Sequence, residues 1–179
     1  MKVERIAFSD GLLLTDIGQL HHQPGAAPMT DAWMLLQGDT VEAIGNAKPP
    51  SWDGAQRDLG GGIVLPAPID SHTHLLFGGD RCDEFASRAR GESYEARLAA
   101  GGGIHATVQA TAQAHDEVLM RTALQRVQHA MHLGVGALEV KSGYGLTLEG
   151  EQRMIKLLAQ LRAVAPIPVF PTLLMHVPP

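Results

Sequence analysis

The residues whose types and spacing speak most directly of chemistry are His72 and His74, one residue apart in IDSHTHLLFGGDR, residues 69–81. On an extended strand, side chains at i and i+2 project to one face, so the two imidazoles can aim at one point. Neutral imidazole nitrogen binds zinc, iron, copper or nickel, and the spacing does not choose among them. Two polar residues closing a strand would give the same pattern. Tyr144 lies between two glycines in KSGYGL. There the chain can turn sharply and either present a ring and hydroxyl to a ligand or anchor the loop on the core. Glu139 and Lys141 flank Val140 and read as an interior ion pair. Arg81, seven residues past His74, is by itself an ordinary solvated arginine, and His176 by itself a histidine close to the last residue.

Other candidates carry less. Gly101 to Gly103 precede a possible helix, but neither a P-loop lysine nor a GxGxxG spacing accompanies them, so the segment reads as a turn. His21, His22, His105, His115, His129 and His132 show no convergent spacing and read as surface residues. Cys82, the single cysteine, excludes a disulfide framework and reads as inert.

The elements that must position these residues fall into two grammars. Up to about residue 60, short apolar runs (Ile6–Phe8, Leu12–Leu14, Trp33–Leu36, Val41–Ile44) are split by turn residues and read as strands. Gln37-Gly38-Asp39 predicts a hairpin between the last two, and Gly18 to Thr30 an exposed loop. Beyond residue 60 the spacing predicts a buried strand at Ile63–Leu65, then a helix from about His115 to Leu133 stopped by Gly134. A strand at Ala137–Val140 follows, then a helix starting at an N-cap Thr147 and ending before Pro166, and a strand at Ile167–Phe170. A further helix is expected over Tyr94–Ala100. Strands alternating with helices at this spacing imply βα units and a parallel sheet.

The chain has 179 residues, 45% apolar and 18% charged, with a formal charge of −5. That composition is globular, and no stretch is long and apolar enough to span a bilayer. No cluster of lysine and arginine offers a footprint for nucleic acid, so a small-molecule partner is expected. The first residues show no signal-peptide pattern, and with one cysteine this points to the cytoplasm.

Taken together, LPAPIDSHTH after DLGGGIV resembles the first barrel strand of the amidohydrolase superfamily. More narrowly, SHTHLLFGGDRCDEF, AAGGGIHATVQAT and LEVKSGYGLTLEGE occur in order and resemble the imidazolonepropionase family, in register from about Leu59 onward. The resemblance implies an α/β fold: about three βα units of a TIM-like barrel over residues 61–179, preceded by a β-sandwich segment over 1–60. It implies one divalent metal, zinc or iron, with His72 and His74 among its ligands. Arg81 would then clamp the substrate's propionate, for which a planar, permanently charged guanidinium is suited. Tyr144 and His176 would be substrate contacts, although Leu174 and Met175 replace the small residues the family usually places before that histidine. The implied reaction opens the ring of 4-imidazolone-5-propanoate by hydrolysis to N-formimidoyl-L-glutamate, in histidine degradation. A homodimer is the expectation for the full-length family.

Length sets the counter-expectation. About 120 residues follow the β unit, whereas a complete βα barrel takes ~250. The remaining metal ligands and the acid/base residues are therefore expected beyond residue 179, and the chain reads as an N-terminal portion, weakly active or inactive alone. Two other readings stay open: a non-catalytic interaction module pairing through an open sheet edge, and a hydrolase of another cyclic amide, against which KSGYGL and GGDR speak.

Overall fold

The computed structural model describes residues 11–91, 93 and 102–175. The expected strand Ile6–Phe8, the expected helix Tyr94–Ala100 and His176 lie outside them. Two compact units, Met1–Pro66 and Ala67–Pro179, make up the chain.

The first unit is a four-stranded sheet in the order β3-β2-β1-β4, from β1 (Leu12–Leu20), β2 (Met29–Gln37), β3 (Thr40–Asn46) and β4 (Ala55–Val64). β1 with β2 and β2 with β3 are antiparallel, while β1 and β4 run parallel. The expected hairpin is present, with Gly38 at φ +60°, a conformation that glycine adopts at no steric cost. Ile17, Leu20 and Ala32 form the buried centre of this sheet.

Two expectations are corrected here. The loop placed at Gly18 to Thr30 is shorter, because β1 continues to Leu20 and β2 begins at Met29, with Gln19 paired to Thr30. Backbone pairing carries the ladder through residues whose side chains are polar. Ile63 and Val64 are not a strand buried on both faces in the second unit. They end β4, paired with Gln19 and Leu20, and Ile63 is 60% exposed. An apolar run after glycines reads alike for either sheet, and pairing with β1 decides.

The second unit is a three-stranded parallel sheet in the order β5-β6-β7, from β5 (Ile69–Thr73), β6 (Ala137–Lys141) and β7 (Val169–Thr172). Between β5 and β6 come α1 (Cys82–Ala89), α2 (Ile104–Gln113) and α3 (Asp116–His132), and between β6 and β7 comes α4 (Leu148–Val164). β5 is polar and α1 short, which is why periodicity is silent about both. α3 buries Leu119, Ala123 and Val127, one stripe at intervals of four. α4 starts at Thr147, whose hydroxyl accepts the amide of Gly150 at 3.0 Å, and buries Met154, Leu157, Leu158 and Leu161. These side chains close on Leu138, Val140 and Val169 of the sheet and on Leu76. Truncating one such fully buried leucine to alanine costs ~2–5 kcal/mol. Because strand side chains alternate, a core made by Leu138 and Val140 sends Glu139 and Lys141 to the opposite face, where they pair.

Candidate active site

His72 is the penultimate residue of β5, which Thr73 closes, and His74 is the first residue beyond it. Leu76, fully buried in the core, pins the segment from inside. From α3, Arg126 fixes it a second way: its Nη1 donates to the carbonyls of Leu75 and Phe77 at 2.7 and 2.9 Å, and its guanidinium lies 3.5 Å from the centroid of the Phe77 ring. Partial burial pulls the Arg126 pKa below the ordinary guanidinium value, and the Tyr144 phenol opposes that shift. Just downstream, the Gly78 amide donates to the Thr111 hydroxyl at 3.0 Å, which donates to the Thr107 carbonyl at 2.7 Å.

Tyr144 comes from the turn between β6 and α4. Its ring centroid is 5.4 Å from that of His74 and 6.0 Å from that of Phe77. Glu151, in the first turn of α4 and only 5% exposed, turns its carboxylate onto the turn. It accepts the amides of Gly143 at 3.1 Å, Gly145 at 2.7 Å and Leu146 at 3.1 Å. The turn sits directly on the helix: a Cβ added at Gly145 would lie 2.3 Å from the Glu151 nitrogen. On the other side, the Ser142 amide donates to the Thr172 carbonyl, and the Ser142 hydroxyl accepts the amide of Leu174 at 3.1 Å. The segment that leads toward His176 is thereby tied to the base of the Tyr144 turn.

The structure thus brings together three of the five residues singled out from sequence, His72, His74 and Tyr144. Arg81 stands at the N-cap of α1, where its Nε and Nη2 donate to Glu84 at 2.9 and 2.5 Å, and its side chain is 45% exposed. The other Glu84 oxygen accepts the amide of Gly103 at 2.7 Å. To clamp a carboxylate, the guanidinium must share or leave Glu84. Glu139 is drawn two ways: burial opposes its charge, and hydrogen bonding with Lys141, Thr172 and Thr73, together with the Lys141 charge, outweighs this and holds the carboxyl below its ordinary pKa. Cys82 is exposed, and its hydrogen bond with the Asp80 carboxylate pushes the thiol pKa up, which fits an unreactive cysteine.

Whether His72 and His74 suit a metal can be tested on their separation. Two imidazoles that share one ion at ~2.1 Å with a near-tetrahedral angle hold their ring centroids roughly 5 Å apart. Those of His72 and His74 are 5.6 Å apart and edge-on, a separation close to that of two imidazoles on one ion. Among the described residues no group of three His, Cys, Asp or Glu side chains could hold an ion.

Residues that sequence reasoning passed over are Arg126, Phe77 and Glu151. An arginine between apolar helix positions reads as a solvated flank, and a glutamate in a first turn reads as a surface acid facing the helix dipole. Only the fold reveals what each one holds.

Several imidazolonepropionases are similar to this chain in sequence. Over 146 residues, which are 80% of this chain and 36% of the relative, it is 44% identical to an imidazolonepropionase of Pseudomonas aeruginosa strain LESB58. The chain is a relative of imidazolonepropionases. Those of Haloarcula marismortui, 40% identical over 151 residues (84% and 36% of the two chains), and Erwinia tasmaniensis, 50% identical over 117 (65% and 29%), agree. The chain spans about a third of the length of these relatives. No protein-family profile matches it. In fold it is similar to a triazine hydrolase from Arthrobacter aurescens, with a TM-score of 0.59 at 14% identity over 91% of this chain and 35% of that one. It is also similar to the crystal structure of an amidohydrolase, with a TM-score of 0.56 at 12% identity over 91% of this chain and 31% of that one. The mixed α/β fold is therefore similar to that of these two hydrolases. Among the described residues no helix is long and apolar enough to cross a membrane.

Proposed function

We propose that this chain carries the first metal ligands and part of the substrate pocket of an imidazolonepropionase, which hydrolyses 4-imidazolone-5-propanoate to N-formimidoyl-L-glutamate. The observation that supports it best is the cluster at the C-terminal end of the parallel strands: His72 and His74 at 5.6 Å, with Tyr144 5.4 Å from His74. That end of a parallel βα sheet is where such folds build active sites. The three strands are read as the opening part of a TIM-like barrel, and the first sheet as part of a β-sandwich.

His72 and His74 would hold a divalent ion, zinc or iron. When bound, such an ion lowers the pKa of a coordinated water from ~15.7 toward ~7 and polarises the carbonyl under attack. The chain's own residues do the placing. Tyr144, its ring 5.4 Å from that of His74, would offer a ring face and a hydroxyl to a planar five-membered ring. Arg81, rotating off Glu84, supplies a planar fork to the propionate carboxylate. His176 would complete the pocket from the segment after β7. Holding the ring in one orientation removes rotational freedom that the reaction would otherwise have to lose at the transition state.

Among the described residues the two imidazoles are one short of the three protein ligands that catalytic zinc takes. The 179 residues alone should therefore retain metal weakly and open the ring slowly or not at all. Elemental analysis after dialysis against zinc, and an assay of imidazolone propionate loss, test this with His72→Ala and His74→Ala beside the unaltered chain. Stoichiometric metal that persists in both variants would sink the ligand reading. Robust ring-opening by the 179 residues would sink the incompleteness.

A further inference from the structure

Resting on the reading of Tyr144 as a substrate contact, we propose that Glu151 is a positioning residue. Its buried carboxylate gathers the amides on either side of Tyr144 and so presents that ring to His74.

The turn has reasons to adopt another shape. Gly143 has φ +118° and Leu146 has φ +54°, and the latter is a left-handed conformation that costs a side chain with a Cβ about 1 kcal/mol or more. Three consecutive-range amides, those of Gly143, Gly145 and Leu146, point inward to one place, a concave arrangement that ordinarily binds an anion. Here the anion is a side chain of the next helix. One oxygen takes two amides and the other takes one, so the carboxylate spans the turn from end to end. With Glu151 only 5% exposed, water is poorly placed to substitute. Close packing of Gly145 on Gly150, where an added Cβ would meet the Gly145 oxygen at 2.6 Å, leaves the turn no room to settle elsewhere against the helix. Released from the carboxylate, the turn loses its reason to hold Leu146 left-handed, and Tyr144 swings from His74 and Phe77.

Two tyrosines, Tyr94 and Tyr144, occur in the chain. In a Tyr94→Phe background, 3-fluorotyrosine therefore reports on Tyr144 alone by fluorine NMR, using the whole 179-residue chain. The neighbouring rings of His74 and Phe77 should displace its resonance from that of the free amino acid. We expect Glu151→Gln and Glu151→Ala to bring the resonance back to the free position. Thr147→Ala, which removes the helix cap without touching the carboxylate, should leave it displaced. A displaced resonance in Glu151→Gln overturns the proposal. So does its collapse in all three variants, which would make the ring's placement a matter of helix stability. Independently, the amides of Gly143, Gly145 and Leu146 in the unaltered chain must be protected from hydrogen exchange; free exchange overturns the proposal even if every variant unfolds. The substrate reading is tested apart, by adding imidazolone propionate to the Tyr94→Phe protein. No movement of the resonance there, with the Glu151 response intact, would sink Tyr144 as a substrate contact and leave the positioning role standing.

Discussion

Replacing Arg126 with methionine isolates what a charged side chain on α3 does for the His-x-His segment. Arginine and methionine have nearly equal helix propensity, and methionine keeps most of the stem's apolar volume, so the helix itself is little disturbed. What is lost is two donations to the carbonyls of Leu75 and Phe77, at 2.7 and 2.9 Å, and the cation 3.5 Å from the Phe77 ring. Hydrogen bonds from a charged donor contribute ~1.5–3 kcal/mol each, and a cation over a ring at a partly exposed site ~0.5–1 kcal/mol. Both carbonyls belong to half-buried residues, so water recovers part of the first figure. A methionine sulfur near Phe77 recovers ~0.3–1.5 kcal/mol of the second. A net loss of about 2–3 kcal/mol follows, read as a fall in the urea midpoint at unchanged slope. Amides of Phe77 and Gly78 should lose hydrogen-exchange protection before those of β6. A double-mutant cycle with Phe77→Leu should return a coupling of ~0.5–2 kcal/mol, since the two side chains touch. A loss below ~0.5 kcal/mol, the range of a bare surface substitution, with protection at 77 and 78 intact, would refute the idea that Arg126 holds this segment.

Two further expectations rest on titration. The Glu139 carboxyl is held below its ordinary value of 4.5, where Lys141 and neighbouring hydrogen bonds outweigh the burial that raises it, so its contribution is fully present above that pH and is lost as acid takes it through the lowered value. Glu139→Gln should therefore flatten the fall in stability below pH 4.5, measured as urea midpoints at pH 7 and pH 4; parallel acid profiles for the two proteins would contradict it. The Cys82 thiol, raised first by its hydrogen bond with Asp80, should alkylate slowly for an exposed cysteine, and Asp80→Asn should quicken its reaction with iodoacetamide at pH 8. An unchanged rate would show that the carboxylate does not govern it.

How much of this was legible in the sequence depends on what kind of constraint each residue answers to. α3 and α4 were visible because burial against one sheet face imposes an apolar interval of three to four, and Thr147 because an N-cap demands a hydroxyl or carboxylate at one position. Hydrophobic pattern alone points to Ile63–Leu65 and not to β5, because the β5 sequence, IDSHT, is polar and exposed at the sheet's edge, whereas the apolar run next to it serves the other sheet; the His-x-His resemblance is what marks this stretch as a strand. The strand that carries the first histidine is thus the one with the least hydrophobic signal. The helix α1 is short and buries none of its residues, so no stripe announces it.

The site divides along the same line. His72, His74 and Tyr144 stand out only through the motifs around them, since a His-x-His pair or a tyrosine between glycines has an ordinary structural reading as well. Arg126 and Glu151 do not, since a charged residue on a helix is ordinary until the fold sets it against backbone carbonyls or amides. Yet those two hold the segments that carry His74 and Tyr144: one cation takes the carbonyls after His74, and one anion takes the amides around Tyr144. Each side chain meets the polarity that the exposed backbone of a turn leaves over, and each comes from a helix whose other face is locked in the same core. Placing His74 and Tyr144 within 5.4 Å of one another therefore requires no direct bond between them. It follows from two turns anchored separately to adjacent helices, so loosening either anchor should move one ring and leave the other where it is.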